Sequence, residues 1–529
     1  MTSANGDVAR ATGSTLDALF RRSVRVFGDR VAVTSDQPGE GPWTYAELGE
    51  RADRLAAGLA ASGLRRGDRV AVLAETRPEW VEIYVALARL GVAAVTLNVR
   101  LHPDELVYCI AKASPHALIT SGPCVPSAIA IRGRCPSVKD WYCLDRHDGF
   151  TPYADLMATG APVPEPAAEP GDLHNVLYTS GTTGLPKGAM ITQQAAATRA
   201  LRLAQWFALT PDDGFVGWLP LFHCGGDESL YGTLLTGGRF AALRRPDPGR
   251  ILDLVERDRL SWTLLLPGVI TDVLAADPGE RDLSSFRFAI GYANMMPGVV
   301  AQLTAKYGIA FCDAFGQTET SYVLAHGFSG PGETPHLRKT PTPFVEIRLV
   351  DPEGGGAGGM AEVPVGVPGE CVVRGPGVMS GYLDDPEATA AAFACGWLHT
   401  GDVLVRNEDG TLEFVDRTKY LIKTGGENVY PAEVEHAIAG HPGVQEVCAH
   451  GVPDPHWGET VKVVVVRAPD TEPVGAPEIV ARCRERLASY KRPRYVEFLG
   501  ADQLPRSTTG KLQRHVLAER GATDDQRVE

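Results

Sequence analysis

Two hydrophobic rhythms alternate along the first hundred residues. Leu48, Ala52, Leu55 and Leu59 recur at helical spacing behind Thr44-Tyr45-Ala46-Glu47, and Gly63 stops the run. Threonine followed three residues later by glutamate is a capping box, which satisfies N–H groups left orphaned at a helix start. A short continuous apolar run over 70–73 then predicts a buried strand, 79–90 a helix and 92–97 another strand. Similar alternation recurs between Ile251 and Phe311. No internal repeat of solenoid length breaks it.

Strands alternating with helices predict crossover connections, hence an α/β fold with parallel-rich sheets covered by helices. Two stretches depart from this pattern. Gly354 to Gly359 reads GGGAGG, which supports no regular element and is expected to form a mobile turn between strands. Around 416–426 a new compact pattern begins. Before it, 410–414 reads as a hairpin. After it, 431–438 reads as a helix, 461–467 as a strand and 477–488 as a helix with Pro477 in its first turn. The expected organisation is a large layered domain over 1–416 and a small α+β domain over 417–529.

Composition narrows the class. At 529 residues the chain exceeds what one hydrophobic core usually serves. Apolar residues at 44% and charged residues at 22% are ordinary for a soluble globular protein. No apolar run reaches the roughly 20 residues of a membrane helix. The polar, small residues from Met1 to Ser14 do not resemble a secretory signal, so a cytoplasmic location is expected. The net charge of −14 argues against a nucleic-acid surface. Any anionic ligand must then be held by locally placed cations and N–H groups. The ten cysteines show no C-x-x-C pair and read as reduced, mostly buried apolar residues.

The most informative stretch is Tyr178-Thr179-Ser180-Gly181-Thr182-Thr183-Gly184-Leu185-Pro186-Lys187-Gly188. Its glycines and hydroxyl residues favour a loop over a helix or strand interior. Successive N–H groups and hydroxyls in such a loop form a concave donor array for phosphate, and Lys187 adds a point charge. It is not a Walker A loop, because Pro186 precedes the lysine and Gly188 follows it. The string closely resembles the phosphate loop of the adenylate-forming enzymes, which include acyl-CoA and aryl-CoA synthetases, luciferases and peptide-synthetase adenylation domains.

Further motifs of that superfamily follow in order across nearly the whole chain. In Phe311-Cys312-Asp313-Ala314-Phe315-Gly316-Gln317-Thr318-Glu319, the ring of Phe315 beside Gly316 offers a stacking face for a flat base. Asp313 can accept from an adenine amino group, Thr318 would donate to the α-phosphate, and Glu319 is a hard oxygen ligand suited to Mg²⁺. The family usually carries tyrosine where this chain has Phe315. Trp397-Leu398-His399-Thr400-Gly401-Asp402 resembles the ribose site, with Asp402 accepting from the ribose hydroxyls and Arg417 donating to the same sugar. By itself a Gly-Asp pair is a simple turn. Leu219-Pro220-Leu221-Phe222-His223-Cys224-Gly225-Gly226 resembles the segment bordering the acid, where His223 would gate the pocket. A structural, hydrogen-bonded histidine is the alternative.

Near the C-terminus, Leu504-Pro505-Arg506-Ser507-Thr508-Thr509-Gly510-Lys511 resembles the catalytic-lysine motif. The resemblance implies a moving small domain that carries Lys511 to the carboxylate and α-phosphate as pyrophosphate leaves. Lys419 occupies the hinge position, and Gly425 and Gly426 would line the channel for the pantetheine arm of CoA. Arg100, Tyr490 and Arg492 fall where related ligases contact the CoA nucleotide. The resemblance thus implies an ATP-dependent, AMP-forming acid–thiol ligase with catalytic residues Lys511, His223, Lys187 and Glu319. ATP would be held by Thr179, Ser180, Gly181, Thr182, Thr183, Gly184, Lys187, Asp313, Phe315, Gly316, Thr318, Asp402, Arg417 and Lys511.

The acid pocket is expected to involve His223, Asp227, Gly291, Tyr292 and Ala293. Relatives usually carry Gly-Gly-Ala-Pro where this chain has Gly291-Tyr292-Ala293-Asn294. The polar run Asp227-Glu228-Ser229 suits a long alkyl tunnel poorly, because burying unpaired carboxylates is costly. This favours a compact, ring-bearing acid over a medium- or long-chain fatty acid. The alternative is that both carboxylates face outward from a helix start. Two other functions share the nucleotide motifs: loading a carrier protein's phosphopantetheine, and non-catalytic nucleotide sensing. A homodimer is compatible with the sequence.

Overall fold

The computed structural model describes residues 15–179, 186–291, 297–351, 360–417, 420–424, 427–454, 457–469, 471–506 and 512–528. The chain divides into two compact units. One comprises Met1–Glu346 with Val373–Leu398, the other Ile347–Val372 with His399–Glu529. The glycine run at 354–359 lies outside the described residues.

Two sheets build the first unit. A seven-stranded sheet has the order Thr151–Pro152, Asp140–Cys143, Ala117–Thr120, Arg69–Leu73, Ala93–Thr96, Leu173–Thr179, Lys187–Thr192. All its pairings are parallel except the last, where Leu173–Thr179 meets Lys187–Thr192 antiparallel. A nine-stranded sheet runs Thr340–Pro341, Ser321–Ala325, Ala310–Gln317, Phe288–Gly291, Trp262–Leu265, Gly214–Gly217, Arg239–Ala242, Val31–Ser35, Trp43–Thr44. Its centre is parallel and both margins are antiparallel. This is the layered α/β architecture that the alternating rhythm predicts.

The expected early elements form where the pattern puts them. The helix Tyr45–Ala61 begins at a capping box in which Thr44 and Glu47 exchange both hydrogen bonds. Those contacts hold the Glu47 carboxyl below its ordinary value. The helix Pro78–Leu90 is buried along nearly its whole length, including Trp80 and Tyr84. A helix that is apolar all round belongs inside the core. Its one deeply buried acid, Glu82, is matched by Arg51 Nε at 2.6 Å and the Tyr153 hydroxyl at 2.8 Å.

The second unit contains an antiparallel ladder between Val444–Asp454 and Gly458–Arg467, joined by the parallel strand Tyr495–Phe498 and backed by the helices Pro431–Ala439 and Ala476–Arg486. Val434, Ile438, Val463, Ile479 and Cys483 form part of its apolar core. All ten cysteines are free, and all but Cys224 and Cys395 are buried. Among the described residues no helix is long and apolar enough to cross a membrane.

Candidate active site

In the first unit the candidate residues collect at the carboxyl ends of parallel strands, where open α/β sheets bind ligands. Leu265, Gly291 and Asp313 stand in register across three neighbouring strands. Thr179 closes the strand Leu173–Thr179 and pairs across the ladder with Lys187. The two described ends of the glycine/threonine loop therefore lie side by side, with the Thr179 hydroxyl donating to the Lys187 carbonyl at 3.4 Å.

Tyr382, which the sequence did not single out, ties this loop to the acidic motif. Its hydroxyl donates to Glu319 Oε1 at 2.8 Å, and Lys187 Nζ lies 5.2 Å from the centre of its ring. The backbone explains its place. Met190 N donates to Gly381 O, Ser380 N to Met190 O and Leu383 N to Gly188 O, so the segment continues the sheet beyond Lys187–Thr192. No local motif marks such a strand addition, because its partners lie about 190 positions away in sequence.

Thr318 and Glu319 sit in the turn between Ala310–Gln317 and Ser321–Ala325. A Cβ at Gly316 would lie 1.9 Å from the Ser321 carbonyl oxygen, so only glycine fits this close backbone approach. Phe315 beside it is half-buried. The Thr318 hydroxyl approaches Cys224 Sγ at 3.7 Å, which brings the motif to the start of the helix Cys224–Leu235.

His223 caps that helix. Its Nδ1 accepts from Gly225 N at 3.3 Å, which places the proton of the neutral ring on Nε2. Gly226 permits the tight entry, since a Cβ there would lie 2.4 Å from the Pro220 oxygen. Burial pushes the imidazole from 6.5 down to about 4. A protonated ring could no longer accept at Nδ1, so the cap is lost with the charge. The folded state thus binds fewer protons than the unfolded one between about pH 4 and 6.5. This residue's contribution to stability is complete above pH 6.5 and is lost as pH falls through that window. Side-chain NMR of histidine-labelled protein is expected to place the His223 midpoint near 4; a value of 6 to 7 would contradict this environment.

The two carboxylates of the polar run beyond His223 are held by partners within the protein. Asp227 is buried, accepting from Asn175 Nδ2 at 3.1 Å and lying 3.3 Å from His174 Nε2. Glu228 is also buried, paired with Arg199 Nη1 at 3.2 Å and accepting from the Ser321 hydroxyl at 2.6 Å. The outward-facing alternative is therefore corrected: both carboxylates face inward onto partners from other elements. Asp313, the expected acceptor for an adenine amino group, is already paired within the protein. Its carboxylate is 2.6 Å from Lys339 Nζ, and both side chains are almost fully buried.

In the second unit the antiparallel pairing of Trp397–Arg406 with Leu412–Arg417 sets Asp402 opposite Arg417. Arg417 Nε lies 2.8 Å from Asp402 Oδ1, so the two expected ribose residues are brought together. Tyr490 packs on the apolar core, and Arg492 Nε donates to Leu487 O at 3.2 Å. Arg100, in the first unit, is exposed. Ser180, Gly181, Thr182, Thr183, Gly184, Tyr292, Ala293, Lys419, Gly425, Gly426 and Lys511 lie outside the described residues.

Comparison with known proteins adds to this geometry. The model of the AMP-binding enzyme family matches residues 20–383, and that of the AMP-binding enzyme C-terminal domain matches 433–511. Feruloyl-CoA synthase of an Amycolatopsis species is 37% identical over 91% of this chain and 94% of its own length. Indoleacetate–CoA ligase of Aromatoleum aromaticum is 32% identical over 89% and 92%. The crystal structure of ATP-bound MatB from Rhodopseudomonas palustris superposes with a TM-score of 0.84 at 32% identity, covering 96% of this chain and 99% of that one.

Proposed function

The chain belongs to the AMP-binding enzyme family, and on that premise we propose how its residues share the work of an ATP-dependent carboxylic acid–CoA ligase. The enzyme couples two transfers. A carboxylate oxygen of the acid attacks the α-phosphorus of ATP, the bond to the bridging oxygen breaks, and pyrophosphate leaves. The CoA thiol then attacks the carbonyl of the acyl-adenylate, its proton is lost, and AMP departs with both electrons of the cleaved C–O bond.

The observation that carries the assignment of roles is the meeting of Lys187 and Glu319 at Tyr382, with Thr318 beside the helix that His223 caps. The loop from Thr179 to Lys187 holds the phosphates through N–H groups, hydroxyls and the lysine. Glu319 fits Mg²⁺: it is a hard carboxylate already oriented by the Tyr382 hydroxyl, and Mg²⁺ typically binds through one or two carboxylates plus phosphate oxygens. When bound, the ion supplies charge neutralisation on the phosphate oxygens. The neutral His223 borders the acid without presenting a charge of its own to it. Asp402 and Arg417 grip the ribose, and their mutual ion pair fixes the carboxylate that receives the hydroxyls. Lys511 supports the first transfer; rotation about Lys419 exchanges it for the segment at Gly425 and Gly426, which admits the pantetheine arm. The hinge separates a large domain over 1–416 from a small one over 417–529, and the reaction takes place in the cytoplasm.

For the acid, we favour a compact ring-bearing carboxylate. With Asp227 and Glu228 turned into internal pairs, the support comes from relatives named for ferulate and indoleacetate. Acid-dependent AMP formation with CoA, compared across cinnamate-like, benzoate-like, indole-acetate and C8–C16 acids, is expected to favour the ring-bearing acids by about tenfold or more in kcat/KM, the scale of pocket discrimination. A clear preference for palmitate would overturn this reading. Product formation with a carrier protein but not with CoA would overturn the choice of thiol.

A further inference from the structure

The turn that carries Glu319 rests on charged groups that have no place in an ordinary core. Arg199, on the helix Gln193–Trp206, is 1% exposed and makes three contacts. Its Nε donates to Gly377 O at 2.7 Å, its Nη1 meets Glu228 Oε1 at 3.2 Å, and its Nη2 donates to the Glu319 carbonyl at 3.2 Å. Arg202, one turn along, is 2% exposed and donates to the Thr320 carbonyl at 3.2 Å. Glu228, from the helix that His223 caps, accepts from the Ser321 hydroxyl at 2.6 Å. Three consecutive residues, Glu319, Thr320 and Ser321, are thus each gripped from beneath by a different buried side chain.

Apolar residues would fill this interface between helices more cheaply, since burying ions carries a desolvation penalty that their attraction does not reliably offset. What the ions add is direction. The Glu319 carbonyl also accepts from Met379 N at 2.8 Å, while its carboxylate accepts from Tyr382. Both ends of the residue are therefore fixed. Ser321 holds φ at +65°, a left-handed conformation unusual for serine, which persists where surrounding contacts over-determine it.

We propose that Arg199, together with Glu228 and Ser321, positions the Glu319 carboxylate for the metal ion of the nucleotide. This rests on the reading of Glu319 as the Mg²⁺ ligand. None of the three touches the ion; they act through the turn, as partners behind metal ligands do.

Two variants isolate the effect. Arg199→Met leaves Arg202 and Glu228 as a charge-balanced pair, since Arg202 also acts on Glu228 electrostatically. Ser321→Ala removes one hydroxyl and no charge. Calorimetric binding of ATP, without acid, is measured with Mg²⁺ and with EDTA. In the unaltered enzyme Mg²⁺ is expected to strengthen binding, and in both variants that strengthening is expected to fall about tenfold while metal-free affinity changes little, in keeping with losses seen for partners behind metal ligands. Glu319→Gln serves as the control. If it retains the full strengthening, the metal-ligand reading fails. If it loses the strengthening while the two variants keep it, the positioning role alone is overturned. Should Arg199→Met not fold, Ser321→Ala decides.

Discussion

Replacing Lys511 by alanine is expected to lower acid-dependent pyrophosphate exchange by roughly 10²- to 10³-fold, the usual consequence of removing one donor aimed at developing charge. During the first transfer, negative charge accumulates over the α-phosphate and the departing pyrophosphate, and in the proposed role the Lys511 ammonium neutralises part of it. The second transfer begins from acyl-AMP, with pyrophosphate already gone. Thioester formation from supplied acyl-adenylate is therefore expected to fall by less than about tenfold in the same variant, because an interaction made in one transition state affects only the step through that state. Equal losses in both half-reactions would remove Lys511 from its assigned role. The nucleotide should still bind, since the phosphate loop and Glu319 belong to other parts of the chain.

The second large effect concerns folding. Lys339 Nζ sits 2.6 Å from Asp313 Oδ2, donates to Leu337 O at 2.7 Å, and is 2% exposed. Lys339→Met would remove the cation that lies 2.6 Å from a buried carboxylate, at a cost of about 3–5 kcal/mol. Adding Asp313→Asn removes the matching negative charge and is expected to restore most of the stability. Urea midpoints for the single and double variants check this. A loss under 1 kcal/mol for Lys339→Met, or no recovery in the double variant, would show that the pair does not constrain the strand end beside Gly291.

The parts of this molecule that were legible in its sequence depend on neighbours close along the chain. The capping box at Thr44 and Glu47 spans three residues, and the helix it starts runs where Leu48, Ala52, Leu55 and Leu59 predict it. The strands around Val70 and Ala94, and the helix that follows Pro431, were likewise set by local periodicity. Asp402 and Arg417 could be paired because both belong to recognisable strings, and the hairpin between them sets the register.

Long-range partnerships were not legible. Asp227 and Glu228 read as polar residues looking for a ligand or for solvent, yet their partners His174, Asn175, Arg199 and Ser321 lie 29 to 93 positions away. Lys339 has the sequence appearance of a surface charge. Its burial becomes visible once the antiparallel margin of the nine-stranded sheet folds it over Asp313. Tyr382 has no motif of its own, and its position follows from backbone bonds to Gly188 and Met190. Local chemistry therefore marked the candidate loops, while tertiary packing determined which of their side chains are engaged by partners within the protein.

The nucleotide product tests the account most directly. Purified protein with Mg²⁺, ATP, CoA and a panel of ring-bearing and alkyl acids should give AMP, pyrophosphate and acyl-CoA in equal amounts, resolved by chromatography, with no AMP when acid is omitted. ADP as the product, or an unchanged ATP pool with every acid supplied, would contradict it.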